Sequence, residues 1–124
     1  EAVASLQESG IPVSLFVDPN PEQIDLAHKT GAQCVEIHTG VFCDANTDKE
    51  RSDTFERILE SAKRADSLGM GVNAGHGLGY HTIKAFKGLS EIDEFSIGHS
   101  IIARAVMVGL EQAVRDMAAL IDDL

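Results

Sequence analysis

Cys34-Val-Glu-Ile-His-Thr-Gly40 is the stretch whose reading decides the fold. Its run Cys34-Val35-Glu36-Ile37 is too short and too rich in β-formers to be a helix, so residues 33–38 read as a strand. That strand runs directly into reactive polar residues, and helical sequence follows. The same arrangement occurs three more times. Val13-Ser-Leu-Phe-Val17 ends on Asp18, Met70-Gly-Val-Asn73 on Ala74-Gly-His-Gly77, and Phe95-Ser-Ile97 on Gly98-His-Ser100. In stacked βα units, chemistry gathers at the carboxyl ends of the strands. Three of the five histidines in the chain sit at such ends.

The intervening sequence supplies the helices. Residues 1–9 read as the tail of a helix, with Val3 and Leu6 on one side and Gly10 as its stop. Pro19-Asn20-Pro21 is a turn, and Pro21 suits the first turn of a helix through Ile24, Leu26 and Ala27 to Gly31. Residues 39–49 form the longest connection, mostly polar. Thr47-Asp-Lys-Glu50 has capping-box spacing. Phe55, Ile58, Leu59, Ala62, Ala65 and Leu68 then mark one face of a helix that Gly69 ends. Residues 80–87 form a short helix closed by Gly88. After the fourth strand, Ile101, Ile102, Ala105 and Val106 mark a short helix, Gly109 breaks it, and Val114, Met117, Ala118 and Ile121 carry the last one. The order α-βα-βα-βα-βα indicates an α/β fold with parallel strands. Four such units make an open sheet or half of a TIM (β/α)8 barrel, which typically needs about 250 residues. With 124 residues and a start on a helix tail, the chain is expected to be the C-terminal half of a single TIM-barrel domain. An opening on Glu1 and not on Met fits a processed chain or a piece of a longer one.

Composition removes several classes of function. The apolar fraction of 44% is that of an ordinary soluble domain. No apolar stretch approaches the roughly 18 residues of a membrane span. A net charge of −10, spread along the helical segments, argues against a nucleic-acid surface, which needs a basic stripe. Cys34 and Cys43 flank the Glu-Ile-His motif without a disulfide pattern, which fits a reducing, cytoplasmic setting. Cys34 is expected to be a small buried hydrophobe. None of the five lysines (Lys29, Lys49, Lys63, Lys84, Lys87) ends a strand, so this half offers no Schiff-base lysine.

The strand ends carry the candidate chemistry. His76 lies between Gly75 and Gly77, where the backbone can turn sharply and a ligand can approach. An exposed histidine there suits a general acid or base, although a loop histidine in an ordinary hydrogen bond has the same look. Gly75-His-Gly-Leu-Gly-Tyr80 lacks the third glycine of a dinucleotide-binding run. Glu36 sits inside an apolar strand, where a carboxylate is costly unless paired. His38 faces the same side as Glu36 and can support it or simply hydrogen-bond to it. Gly98-His99 precedes a helix, whose free N–H groups bind anions, and TIM barrels often place phosphate at their last two βα loops. Gly77 and Gly98-His99 occupy those two loops. The plainer alternative is a helix cap with Ser100 as N-cap. Asp18, in Asp-Pro-Asn-Pro, reads as turn chemistry and ranks as structural.

Four blocks in order carry a resemblance: Gly10-Ile-Pro-Val-Ser-Leu-Phe-Val-Asp18, Glu36-Ile-His-Thr-Gly40, Val72-Asn-Ala-Gly-His-Gly-Leu78, and Ile97-Gly-His-Ser-Ile-Ile102 followed by Arg104-Ala-Val106. Together they resemble the pyridoxine 5′-phosphate synthase family of the deoxyxylulose-dependent route to vitamin B6. The resemblance implies a TIM barrel. It implies condensation of 1-deoxy-D-xylulose 5-phosphate with 3-amino-2-oxopropyl phosphate to pyridoxine 5′-phosphate, phosphate and water, without a cofactor or metal. By position, His76 matches the family's proton donor, Glu36 the glutamate that stabilises the transition state, Gly77 a substrate contact, and Gly98 and His99 the pair that holds a phosphate group. His38, Thr39 and Asn73 are expected to stand behind them as supporting residues. The family's partners are phosphorylated small molecules and further copies of itself, an octamer by resemblance.

Nothing in the chain matches the family's N-terminal half, with its early Asn-x-Asp-His segment, second catalytic histidine and glutamate, and phosphate-binding arginines. The 124 residues alone are therefore expected to lack synthase activity, and the open half-sheet to associate with other copies. Two rivals remain at this point: a metal-dependent TIM-barrel hydrolase using Glu36, His38, His76 and His99, and a non-catalytic phosphate-binding or assembly module.

Overall fold

Local chemistry starts the helices where the sequence signals lie. The Asn20 side chain accepts from Glu22 N at 2.9 Å, with Pro21 as first helical residue, and α2 runs over Pro21–Lys29. Thr47 and Glu50 form the reciprocal capping box that opens the long α4, Asp48–Ser67. In this computed structural model, which describes residues 1–124, α1 (Ala2–Glu8) precedes β1 (Ser14–Val17) and α2. β2 (Cys34–His38), α3 (Gly40–Cys43), α4 and β3 (Gly71–Gly75) follow. A 3-10 turn (Thr82–Phe86), β4 (Glu94–Ser96), α5 (His99–Val108) and α6 (Leu110–Asp122) complete the chain.

The four strands form one parallel sheet in the order β1-β2-β3-β4. The fold is thus α/β, as the alternation of patterns predicts. Val35, Ile37, Val72 and Ala74 point to one face and are fully buried against Ile24 and Ala27 of α2, Ile58, Ala62 and Ala65 of α4, and Met117 of α6. Phe42, Phe55, Phe86 and Phe95 pack ring to ring beside them, with centroids 5.4 to 5.7 Å apart in tilted or edge-on contacts. Phe42 and Phe86 are fully buried, each contributing on the order of 1.5–3 kcal/mol, while Phe55 and Phe95 are half-buried. The opposite face carries Phe16, Cys34, Glu36, His38, Asn73, Glu94 and Ser96 and has no helix over it. Phe16 is 57% exposed there. Parallel sheets are ordinarily covered on both faces, so this uncovered face is the main anomaly of the fold.

Several expectations need correction. Residues 39–49 are not all loop: Gly40–Cys43 forms α3 directly after β2. Cys34 is not a buried hydrophobe. It is half-buried on the uncovered face, because its parity along β2 matches Glu36 and not Val35. Residues 80–87 yield only the 3-10 turn Thr82–Phe86. The break at Gly109 is as expected: its φ of +86° separates α5 from α6.

The apolar stripe of α4 also misses one residue. Ser61 is fully buried, and its hydroxyl has no hydrogen-bond partner. Ser61→Ala removes an unpaired buried hydroxyl and raises helix propensity, so it should stabilise the chain by about 1 kcal/mol in urea unfolding. A loss of stability would show that the hydroxyl has a partner. On the surface, Arg64 Nε donates to Asp25 Oδ1 at 2.7 Å and ties α4 to α2. That hydrogen bond holds the Asp25 carboxyl below its ordinary range. Its small contribution is present at neutral pH and is lost as acidification passes through the lowered range.

Candidate active site

Parallel register assembles the site. β2 presents Glu36 and His38 on the uncovered face, with Glu36 between Phe16 and Asn73, and His38 beside Gly75. Glu36 Oε2 accepts from Ser96 Oγ of β4 at 3.1 Å, reaching across β3. The reach is possible because position 75 has no side chain. A Cβ there would collide with the Glu36 carboxylate and lie 2.9 Å from Ser96 Cβ. Gly40 clears a second space, since a Cβ there would lie 2.5 Å from His38 Nε2 and 2.9 Å from His76 Cδ2.

His76 follows β3 with φ +76°, the one non-glycine residue in the left-handed region. Such a conformation costs on the order of 1–3 kcal/mol and persists only where the surroundings enforce it. Thr39 supplies the enforcement. It is fully buried, its amide donates to Gly75 O at 2.8 Å, and its Oγ1 lies 2.8 Å from Gly75 O and 2.6 Å from His76 O. The amide already serves Gly75 O, so the hydroxyl proton is available to His76 O. Gly77 continues the turn at φ +78° and lies against Cys43. Burial raises the Cys43 thiol above its ordinary range, which keeps it protonated near neutrality and unsuited to nucleophilic work.

The fourth strand end is a helix start. Gly98 is the N-cap of α5 and His99 its first residue, and no side chain accepts from the first-turn N–H groups. The alternative reading of Ser100 as N-cap fails. Ser100 lies inside the helix, and its Oγ donates to Leu78 O at 2.9 Å, fastening α5 to the loop after β3. A cavity of about 370 Å³ opens among Phe16, Glu36, His76, Gly77, Ser96 and Gly98-His99. Glu36, His76, Gly77, Gly98 and His99, singled out separately from the sequence, therefore share one wall-to-wall space.

The supporting residues fall elsewhere. Thr39 lies beneath the loop and Asn73 lies next to Glu36 on the sheet. His38 lines two adjoining cavities of about 250 and 640 Å³. It makes no hydrogen bond to Glu36. Its Nδ1 meets Asp18 Oδ1 at 3.2 Å, and its ring stands edge-on to His76 with centroids 5.0 Å apart. Asp18, ranked as structural from its turn, is thus also a side-chain partner at the site. Ser96 and Phe16 were not singled out either; their signal was parity with Glu36 along neighbouring strands. No group of three or more His, Cys, Asp or Glu side chains could hold a metal ion.

If Thr39 holds His76 in place, Thr39→Val takes the hydroxyl donor from His76 O while the amide still serves Gly75 O, and should cost about 1–3 kcal/mol in chemical denaturation. Thr39→Ser should cost clearly less. Equal losses for the two variants would remove the hydroxyl from this role.

The family model described as pyridoxal phosphate biosynthesis protein PdxJ matches residues 1–123. A pyridoxine 5′-phosphate synthase of Desulforapulum autotrophicum is 56% identical over 121 residues, covering 98% of this chain and 51% of that protein. Proteins of the same name from Syntrophobacter fumaroxidans and Geobacter metallireducens are 51% and 54% identical over 122 and 121 residues, each with 98% of this chain and 51% of the relative covered. The chain spans about half the length of the relatives it matches.

Proposed function

The chain belongs to the family of pyridoxal phosphate biosynthesis protein PdxJ, and on that premise we propose that it is the C-terminal half of a TIM-barrel pyridoxine 5′-phosphate synthase. The reaction is the condensation of 1-deoxy-D-xylulose 5-phosphate with 3-amino-2-oxopropyl phosphate, giving pyridoxine 5′-phosphate, phosphate and water. One observation carries this reading: Glu36, His76 and the open start of α5 at Gly98-His99 surround a single cavity at the carboxyl ends of β2, β3 and β4. The uncovered sheet face supports the barrel, because the missing strands and the barrel interior would lie there.

In this reading the free N–H groups at the start of α5 hold a substrate phosphate, with Gly98 letting it approach the backbone. His76 donates protons during imine formation and ring closure, where water must leave. Glu36, fixed by Ser96 Oγ, stabilises positive charge on nitrogen as the imine forms. The substrate's own amine makes the imine, so the site needs no lysine. The remaining wall of the pocket, with further acid–base and phosphate-binding groups, comes from the half of the relatives' length that this chain does not match.

The proposal extends to assembly and setting. No helix is long and apolar enough to cross a membrane. Two free thiols fit the cytoplasm. The uncovered face, together with exposed Val106 and Met107 of α5, supports a homo-oligomer.

Three results test this reading. In the complete enzyme, His76→Asn should lower kcat at least about a hundredfold, the usual scale for removing an acid–base group; near-normal turnover would exclude His76 as proton donor. The 124-residue chain alone should show no synthase turnover, and a measurable rate would refute its being half a site. In sedimentation it should self-associate, whereas a monodisperse monomer would contradict the assembly proposal.

A further inference from the structure

We propose that Asp18 and His38 act as a positioning pair for His76: the carboxylate fixes the His38 ring, and that ring fixes the direction of the His76 imidazole. The proposal rests on the synthase reading for what His76 does, but its own support is geometric. The backbone that carries Asp18 has little freedom. Its N–H donates to Gln23 Oε1 at 3.2 Å, its carbonyl accepts from Asn20 N at 2.7 Å, Asn20 caps α2, and prolines occupy positions 19 and 21. The carboxylate is thereby aimed at β2, where it meets His38 Nδ1 at 3.2 Å.

A carboxylate only accepts hydrogen bonds, so Nδ1 carries the proton, and in the neutral ring Nε2 is the bare nitrogen. Nε2 lies over Gly40, where the His38 and His76 rings converge. The rings meet edge-on at 63°, and Phe16 backs both, with centroids 5.1 Å from His38 and 6.5 Å from His76. Thr39 holds the backbone of His76, but no protein group hydrogen-bonds its ring nitrogens. Contact with His38 and Phe16 is what remains to orient the ring. Neither Asp18 nor His38 lines the cavity shared by Glu36, Gly77 and Gly98, whereas His38 and His76 together line the adjoining one of about 640 Å³, so the pair reaches the first cavity through His76.

The test uses the complete enzyme with ring-15N-labelled histidine. In the wild type, His38 should show the Nδ1-protonated tautomer. Asp18→Ala should shift His38 toward the other tautomer, move the His76 ring resonances, and lower kcat about ten- to a hundredfold while KM changes less than about twofold. Asp18→Asn, whose amide oxygen can still accept from Nδ1–H, should recover part of the loss. The unfolding midpoint of both variants should match the wild type, since Asp18 lies at the surface. The proposal is overturned if His38 is protonated at Nε2 in the wild type, if the His76 resonances stay in place in Asp18→Ala, or if kcat remains within about twofold. A wild-type enzyme without synthase turnover would sink the synthase reading alone, because the tautomer and the His76 resonances still decide the pair.

Discussion

Space at the carboxyl ends of β2 and β3 is the constraint on which the site depends. Parallel pairing brings the side chains of three strands to one rim, and ordinary residues there would fill it. Gly75 lets the Glu36 carboxylate cross β3 to Ser96, and Gly40 lets the rings of His38 and His76 meet. Thr39 then spends both its amide and its hydroxyl on the carbonyls that flank the turn at His76. Two absent side chains and one buried hydroxyl thus set the positions of Glu36, His38 and His76.

The architecture was largely readable in the residues, because each element carries its own start or stop. The capping box at Thr47 and Glu50, Pro21 at the start of α2, and Gly109 between α5 and α6 all act locally, so sequence order alone reveals them. What escaped depended on packing. α3 is a single turn of Gly40-Val-Phe-Cys43 with Phe42 buried, too short for a periodic signal. The burial of Ser61 depends on which side of α4 meets the core, and its polarity hides it from any apolar pattern. Cys34 was misplaced because an apolar run of four residues does not show which face of the strand is covered.

The site was legible to a different degree. Glu36, His76, Gly77 and Gly98-His99 stand out as polar or glycine residues at strand ends, and they do surround one cavity. Their partners are ordinary residues whose value comes from register. Ser96 is a serine in a three-residue strand, and only pairing of Gly75 with Ser96 and with His38 brings it near Glu36. Asp18 sits in a sequence so typical of a turn that the turn accounts for it. Its side chain's contact with β2 is a tertiary fact that local spacing does not encode.

The pairing order has a bearing on how the chain comes together. Every strand lies beside its neighbour in sequence: Ser14 pairs with Cys34, and Asn73 with Glu94. Each ladder closes a loop of at most a few dozen residues, so no strand waits for a distant partner. Loops of that size keep the entropy of closure small, which favours fast pairing. The outer edges of β1 and β4 stay unpaired and open to further strands.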